Sequence, residues 1–170
     1  MAETSLRAMG GKRAIVVFDT NFGNTKKIGK SISTGLQRAG LVVDCVDTHE
    51  TRPELLKTYD LIVMGAPTQK FTASKAMRDF INSLEKGGGL AGKCFFAFDT
   101  KLPSRFSGSA AKYIESRLEQ MGLRAVAPRS SAIGRGSTFK LDDGEEARFE
   151  GIGLEVGRGM LASKETGARA

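Results

Sequence analysis

Apolar runs alternate with amphipathic stretches along most of this chain. Ala14-Ile15-Val16-Val17-Phe18 is continuous and apolar, the pattern of a strand buried on both faces of a parallel sheet. From Lys26 to Arg38, Ile28, Ile32 and Leu36 share one helical face, and Gly40 suits the turn that closes a helix. The pattern then repeats. Leu41 to Val46 reads as a second strand, Thr51 to Leu56 as a short helix with Pro53 near its first turn, and Leu61 to Met64 as a third strand. Met77, Phe80, Ile81 and Leu84 fall at i, i+3, i+4 and i+7, and Gly87-Gly88-Gly89 ends that helix. Cys94 to Phe98 is a fourth strand, and Ala110, Ile114, Leu118 and Met121 mark a helix stopped at Gly122. Leu123 to Val126 begins a fifth strand that resumes near Ser130 to Ile133. Asp142 and Asp143 ahead of Glu145 and Glu146 make a capping-box pattern, and Phe149, Ile152, Val156 and Met160 form the buried stripe of a last helix. Gly151, Gly153, Gly157 and Gly159 also fall in that helix, each costing about 1 kcal/mol relative to alanine.

Five strands alternating with helices predict a three-layer α/β/α domain around a five-stranded parallel sheet, spanning residues 13–163. Residues 1–12 lack periodicity and read as a flexible lead, and 164–170 as a tail. Neither an internal repeat nor a linker interrupts the pattern.

Composition narrows the class. The chain has 170 residues, 40% of them hydrophobic and 26% charged, as in one ordinary globular domain. No apolar run approaches the roughly 20 residues of a membrane span, and the first residues lack the apolar core of a signal peptide. A cytoplasmic protein is therefore expected. Cys45 and Cys94 sit in strand-like runs, which favours reduced, buried thiols. His49 is the only histidine, and no Cys/His cluster has metal-ligand spacing, so no metal site is expected. The formal charge of +7 fits a solvated basic surface or an acidic partner; nucleic acid is disfavoured, since no run of like charges reaches five or six.

The informative segment follows the first strand. Open α/β sheets bind ligands beyond the carboxyl ends of their strands. Asp19-Thr20-Asn21-Phe22-Gly23-Asn24-Thr25 is rich in hydroxyl and amide groups and opens onto a helix N-terminus, where unpaired N–H groups favour a phosphate. A polar turn with a helix cap is the alternative. The dinucleotide fingerprint is absent. Gly29-Lys30-Ser31 lies one residue out of Walker A spacing and inside the helix. Asp19 and Asp99 occupy strand ends as in phospho-receiver domains, but the hydroxyl-rich loop suits a phosphate ligand better than magnesium.

Val16-Val17-Phe18-Asp19-Thr20-Asn21-Phe22-Gly23-Asn24-Thr25, continuing through Ile32, resembles the flavodoxin signature, with Gly29 where the family usually has alanine and Phe22 where many members have a hydroxyl residue. The resemblance implies strand order 2-1-3-4-5 and one FMN whose phosphate sits on Thr20, Asn21, Phe22, Gly23, Asn24 and Thr25. Gly65-Ala66-Pro67-Thr68 looks like the second flavin loop. There Pro67, Thr68, Gln69, Lys70 and Phe71 would meet the ribityl chain and ring, and Phe71 either stacks on the ring or plugs the core. Positions 67–74 lack the glycine that many members carry. Asp99-Thr100-Lys101 and Phe106-Ser107-Gly108 resemble the third loop, with Phe106 as an outer stacking residue or as a staple onto the next helix.

In this reading no residue is catalytic and the flavin does the chemistry. Lys70, Lys75, Lys101 and Arg105 map near the ring, and Lys26 and Lys27 near the phosphate. Positive charge there is expected to raise the flavin's reduction potential and to steer an acidic partner, a ferredoxin-like protein or a reductase. Three functions follow from the resemblance: an electron carrier between proteins, favoured; an FMN-dependent NAD(P)H or quinone oxidoreductase; and a binding module that has lost FMN.

Overall fold

Each central strand divides its side chains between two helical layers. In the computed structural model, which describes residues 11–168, β1 (Arg13–Phe18) sends Ala14, Val16 and Phe18 to one face and Ile15 and Val17 to the other. It is followed by α1 (Asn24–Ala39) and β2 (Val42–Asp47), then a 3-10 helix at Pro53–Thr58 where a short helix is expected. β3 (Leu61–Gln69), β4 (Thr72–Ala73), α2 (Lys75–Gly87), β5 (Cys94–Lys101) and α3 (Ala110–Gln120) come next. The chain closes with β6 (Arg124–Ala125), β7 (Ser130–Arg135), β8 (Lys140–Leu141) and α4 (Glu145–Ala168). Of the expected lead, residues 1–10 lie outside the described residues, as do 169–170 of the expected tail; α4 runs on through 168.

The strands are ordered β2-β1-β3-β5-β7, all parallel, with β6 also pairing β5. β6 pairs with Cys94 and Phe95, and β7 with Phe98 to Lys101. Together they form one interrupted fifth lane, which gives the expected order 2-1-3-4-5. The sheet nonetheless has eight strands rather than five. The two extra ones, β4 and β8, are antiparallel pairs of residues folded back on β3 and β7. Neither carries an apolar run that periodicity would register.

One face is covered by Met77, Phe80, Ile81 and Leu84 of α2 with Ile114 and Leu118 of α3. The other carries Ile28, Ile32 and Leu36 of α1 with Phe149, Val156 and Met160 of α4. Phe98 meets Phe149 there at 6.4 Å between ring centroids, tilted by 57°. Cys94 is buried, but Cys45 is only half-buried, because β2 is an edge strand. Burial still pushes the Cys45 thiol above its usual range, against the hydrogen bond to Ser33. No helix among the described residues is long and apolar enough to cross a membrane.

The capping box expected before α4 is used differently. Asp142 pairs with Arg135 at 2.9 Å. Glu145 reaches back across the sheet edge to the Ile133 N–H at 2.8 Å and also holds Arg148.

The glycines of α4 have two different causes. A Cβ on Gly153 would collide with the Ile32 carbonyl of α1, one on Gly35 with the Glu150 carbonyl of α4, and one on Gly157 would come within 2.6 Å of the Ala39 Cβ. These positions let two backbones touch. Gly151 has no atom within 4 Å of such a Cβ and is exposed. Gly35→Ala and Gly153→Ala should therefore each lower the unfolding free energy by about 2 kcal/mol or more through overpacking. Gly151→Ala should raise it by about 0.5–1 kcal/mol through helix propensity. Urea midpoints measure both, and a shift of the same sign at all three positions would contradict this account.

Candidate functional site

The carboxyl ends of β1, β3 and β5 open onto one cavity of about 180 Å³. β1 ends at Phe18, and the chain turns through Gly23, whose φ of 91° is left-handed and open to glycine without strain. The Gly23 N–H donates to Thr20 Oγ1 at 2.9 Å, and its carbonyl accepts from Lys27 N at 3.0 Å. No side chain caps α1, and its first turn holds no acidic residue. Among the described residues the first-turn N–H groups therefore have neither an intrahelical nor a side-chain acceptor, and the positive end of the helix dipole meets no acidic side chain of the first turn. An anion with several acceptor oxygens is the complement of that surface.

Hydroxyl groups complete the cavity wall. Thr25 Oγ1 and Thr100 Oγ1 lie 3.0 Å apart, both residues nearly fully buried. One bond between two hydroxyls uses one of their two protons, so the other remains to donate into the cavity that both residues line. Thr68 is more committed: its hydroxyl donates to Asp99 Oδ2 at 3.3 Å and accepts from the Ala110 N–H at 3.0 Å. What it offers the cavity is its methyl group and one lone pair.

Thr20, Asn21, Phe22, Asn24, Thr25, Pro67, Thr68, Gln69 and Thr100, all singled out from sequence, line this cavity. Gly23 shapes its mouth. Lys70, Phe71, Lys101, Phe106, Ser107 and Gly108 stand outside it, on the two neighbouring loops. Asp99 does neither. It is fully buried beneath the loops, where Oδ2 accepts from Ser109 Oγ at 2.7 Å and the Ala111 N–H at 2.9 Å. Its role in this structure is to fix the start of α3 against β5, with Thr68 linking both to β3, and its Oδ1 has no partner among the described residues.

Two aromatic rings flank the cavity. Phe71 is 72% exposed and Phe106 74% exposed, so neither plugs the core nor staples a helix. Their loops are joined by a bridge between Phe71 and Gly108. Gly108 has φ 76°, and any Cβ there would collide with the Phe71 backbone. The second loop is a hairpin turn, with Thr68 opposite Ala73 and Gln69 opposite Thr72. Its two central residues, Lys70 and Phe71, have φ of 46° and 71°, the geometry that favours Asn-Gly. The sequence shows no glycine at 67–74, and the structure bends the chain there by strain.

Phe139 is the tenth lining residue, and the sequence reading missed it. It sits on the turn between β7 and β8 at φ 48°, with its ring against Gly134. Its carbonyl accepts from Asn24 Nδ2 at 2.6 Å, tying this hairpin to the start of α1. Glu145 braces the hairpin from below. The Arg148 guanidinium holds its carboxyl below the usual range, against burial, with help from the Ile133 N–H. Gly134 and Gly136 around a short polar turn are the signal that could have marked the hairpin.

A cavity this size is smaller than the roughly 300–1,000 Å³ of most small-molecule pockets. It fits an anionic head and part of a chain, with anything flat and large lying over the exposed rings outside.

A model of the flavodoxin family matches residues 16–152. A flavodoxin from the domain Archaea superposes with a TM-score of 0.74, at 22% identity over 88% of this chain and 99% of that one. Oxidised flavodoxin 1 from Bacillus cereus gives 0.74 at 18% identity, over 85% and 97%. An Archaeoglobus fulgidus protein called NAD(P)H dehydrogenase (quinone) is 28% identical over 95 residues, 41% of this chain. The match spans 50% of that relative's length.

Lys70→Asn with Phe71→Gly should stabilise the protein without ligand by about 1–2 kcal/mol, by removing left-handed strain at two positions. Thermal unfolding reads this, and an unchanged or lower midpoint would mean the turn is unstrained.

Proposed function

The chain belongs to the flavodoxin family, and from that premise we propose that it holds one FMN and carries electrons between redox proteins. The observation that carries the reading is the uncapped start of α1 opening on a hydroxyl-lined cavity, with two exposed aromatic rings beside it. Family membership implies a flavin, and the donor set fits riboflavin phosphate. Backbone N–H groups of the first turn of α1, with Thr20 and Thr25, hold the phosphate. Asn24 keeps the hairpin of Phe139 closed beside it. Phe71 and Phe106 border the ring at its outer loops. When bound, the flavin supplies electron transfer, and the protein sets how tightly the group is held and how much positive charge surrounds it.

That charge comes from Lys70, Lys101 and Arg105 on the two ring loops. Arg105 also packs over the Phe106 ring at 4.9 Å. Lys75, expected to join them, is instead paired with Asp79 at 2.7 Å. Positive charge favours a reduced, anionic flavin and attracts an acidic redox protein.

A second reading, an FMN-dependent NAD(P)H or quinone oxidoreductase, draws on the name of the Archaeoglobus relative, half of whose length is matched. Oxidation of NAD(P)H with quinones as acceptors separates it from the carrier. A third reading is a module of this fold that has lost FMN.

The purified chain should be yellow, or turn so with one equivalent of FMN. Thr25→Val should weaken FMN by about tenfold, the loss of one hydrogen bond to a charged group. A chain that takes up no FMN, or binds riboflavin as tightly as its phosphate, would refute the phosphate cradle. With FMN bound, Lys70→Glu and Lys101→Glu should each lower the reduction potential. Electron transfer with an acidic partner should slow as salt rises. Unchanged potentials and a flat salt response would remove the role given to the basic rim.

A further inference from the structure

Beside the cradle, the ends of β1 and β2 bring three potential metal ligands together from separate parts of the sequence. The parallel register sets Phe18 opposite Asp47, and the Thr48 N–H donates to the Phe18 carbonyl at 2.9 Å. This places Asp19, the next residue, against the turn that carries Asp47 and His49. One ligand atom from each of Asp19, Asp47 and His49 lies within 4.8 Å of the others. Lone histidines carry no spacing signal, so the sequence offered no hint of this cluster.

Asp19 supplies the second observation. The residue is 5% exposed, and its backbone N–H is tied to the Gly65 carbonyl at 3.1 Å. Its carboxylate has no hydrogen bond or ion pair among the described residues, yet an oxygen of it faces the other two ligand atoms. The residue is largely buried while its carboxylate keeps no partner among the described residues beyond solvent contact, and a cation is its simplest complement. The other two ligands are already oriented. Asp47 Oδ1 accepts from the His49 N–H at 2.9 Å and lies 2.7 Å from His49 Nδ1. Ligands about 2.0–2.2 Å from a zinc ion sit roughly 3.0–3.5 Å from one another. A metal ion would therefore displace the proton shared by Asp47 Oδ1 and His49 Nδ1 and draw together three ligand atoms that already lie within 4.8 Å of one another. The nearby Lys75 ammonium is held by Asp79.

We propose that Asp19, Asp47 and His49 bind a divalent transition-metal ion. Two carboxylates and one imidazole suit zinc, cobalt or ferrous iron, and the imidazole disfavours magnesium and calcium. Three protein ligands at an exposed edge leave the remaining positions to water. The site stands apart from the flavin reading, since none of its ligands lines the cradle.

The test uses the full chain without a histidine tag, so that His49 gives the only imidazole resonance in a proton NMR spectrum. Titration with ZnCl2 by calorimetry should show one saturable equivalent, and CoCl2 should shift and broaden the His49 signals. His49→Gln and Asp19→Asn should each weaken zinc by at least about tenfold, and Glu119→Gln, exposed at the end of α3, should leave it unchanged. MgCl2 in excess should not displace zinc. Should Asp19→Asn fail to fold, by circular dichroism, the cobalt shift in the unaltered chain and the His49→Gln titration still decide. Zinc uptake indifferent to His49→Gln, His49 signals unmoved by cobalt, or displacement by magnesium would overturn the proposal. FMN uptake is measured in parallel, so failure of one site is distinguishable from failure of the other.

Discussion

The first turn of α1 begins with backbone donors that no described residue satisfies. Helix starts are ordinarily closed by a Ser, Thr, Asp or Asn side chain. Here Gly23 occupies the cap position in a left-handed conformation and contributes no side chain, while Thr20 bonds to Gly23 rather than to the helix. Ser74 and Ser109, by contrast, cap α2 and α3 with their own hydroxyls. The protein thus closes two of the helices that begin beyond the carboxyl ends of its central strands and leaves the third open. The cavity, its hydroxyls and its flanking loops are arranged around that opening, and the proposed phosphate would supply the acceptors its donors lack.

Positioning the opening takes most of the fold. α1 is held by α4, and the two backbones approach so closely that Gly35, Gly153 and Gly157 have no room for a side chain. The same closeness accounts for two of the helix's glycines, Gly153 and Gly157, while Gly151 and Gly159 have open space around them. Asp99 and Thr68 hold the start of α3 against β3, so the third loop leaves the sheet from a fixed point. Gly108 then lets that loop touch the strained turn at Lys70 and Phe71. Exposure of both rings is what this scaffold accepts in exchange for a surface on which a flat ligand can rest.

Much of this was legible in the sequence because it rests on short-range pattern. Continuous apolar runs announced the parallel strands, and the hydroxyl-rich loop before an amphipathic helix is where the cavity lies. What escaped depended on contacts between distant segments. β4 and β8 are two-residue strands with no periodicity, so Phe139 came to the cavity unannounced. Asp99 reads as a loop residue but lies within β5, buried against the start of α3, because the apolar run that marks the strand stops at Phe98. Lys75 looked like part of the basic rim, although Asp79, four residues on, neutralises it. The Asp142 and Glu145 pair looked like a capping box and serves the hairpin instead.

The two proposed sites share one stretch of chain, and that has an electrostatic consequence. Asp19 directly precedes Thr20, so its carboxylate stands next to the loop proposed to receive a phosphate. Like charges at close range disfavour one another, and the cradle offers the phosphate no arginine to offset this. A divalent ion on Asp19, Asp47 and His49 would neutralise the carboxylate and so favour the phosphate. Linkage requires the reverse as well: a bound phosphate would favour the metal by the same factor. Asp19 is then a charge common to both equilibria, a ligand of the proposed cation site and the chain neighbour of the proposed anion site.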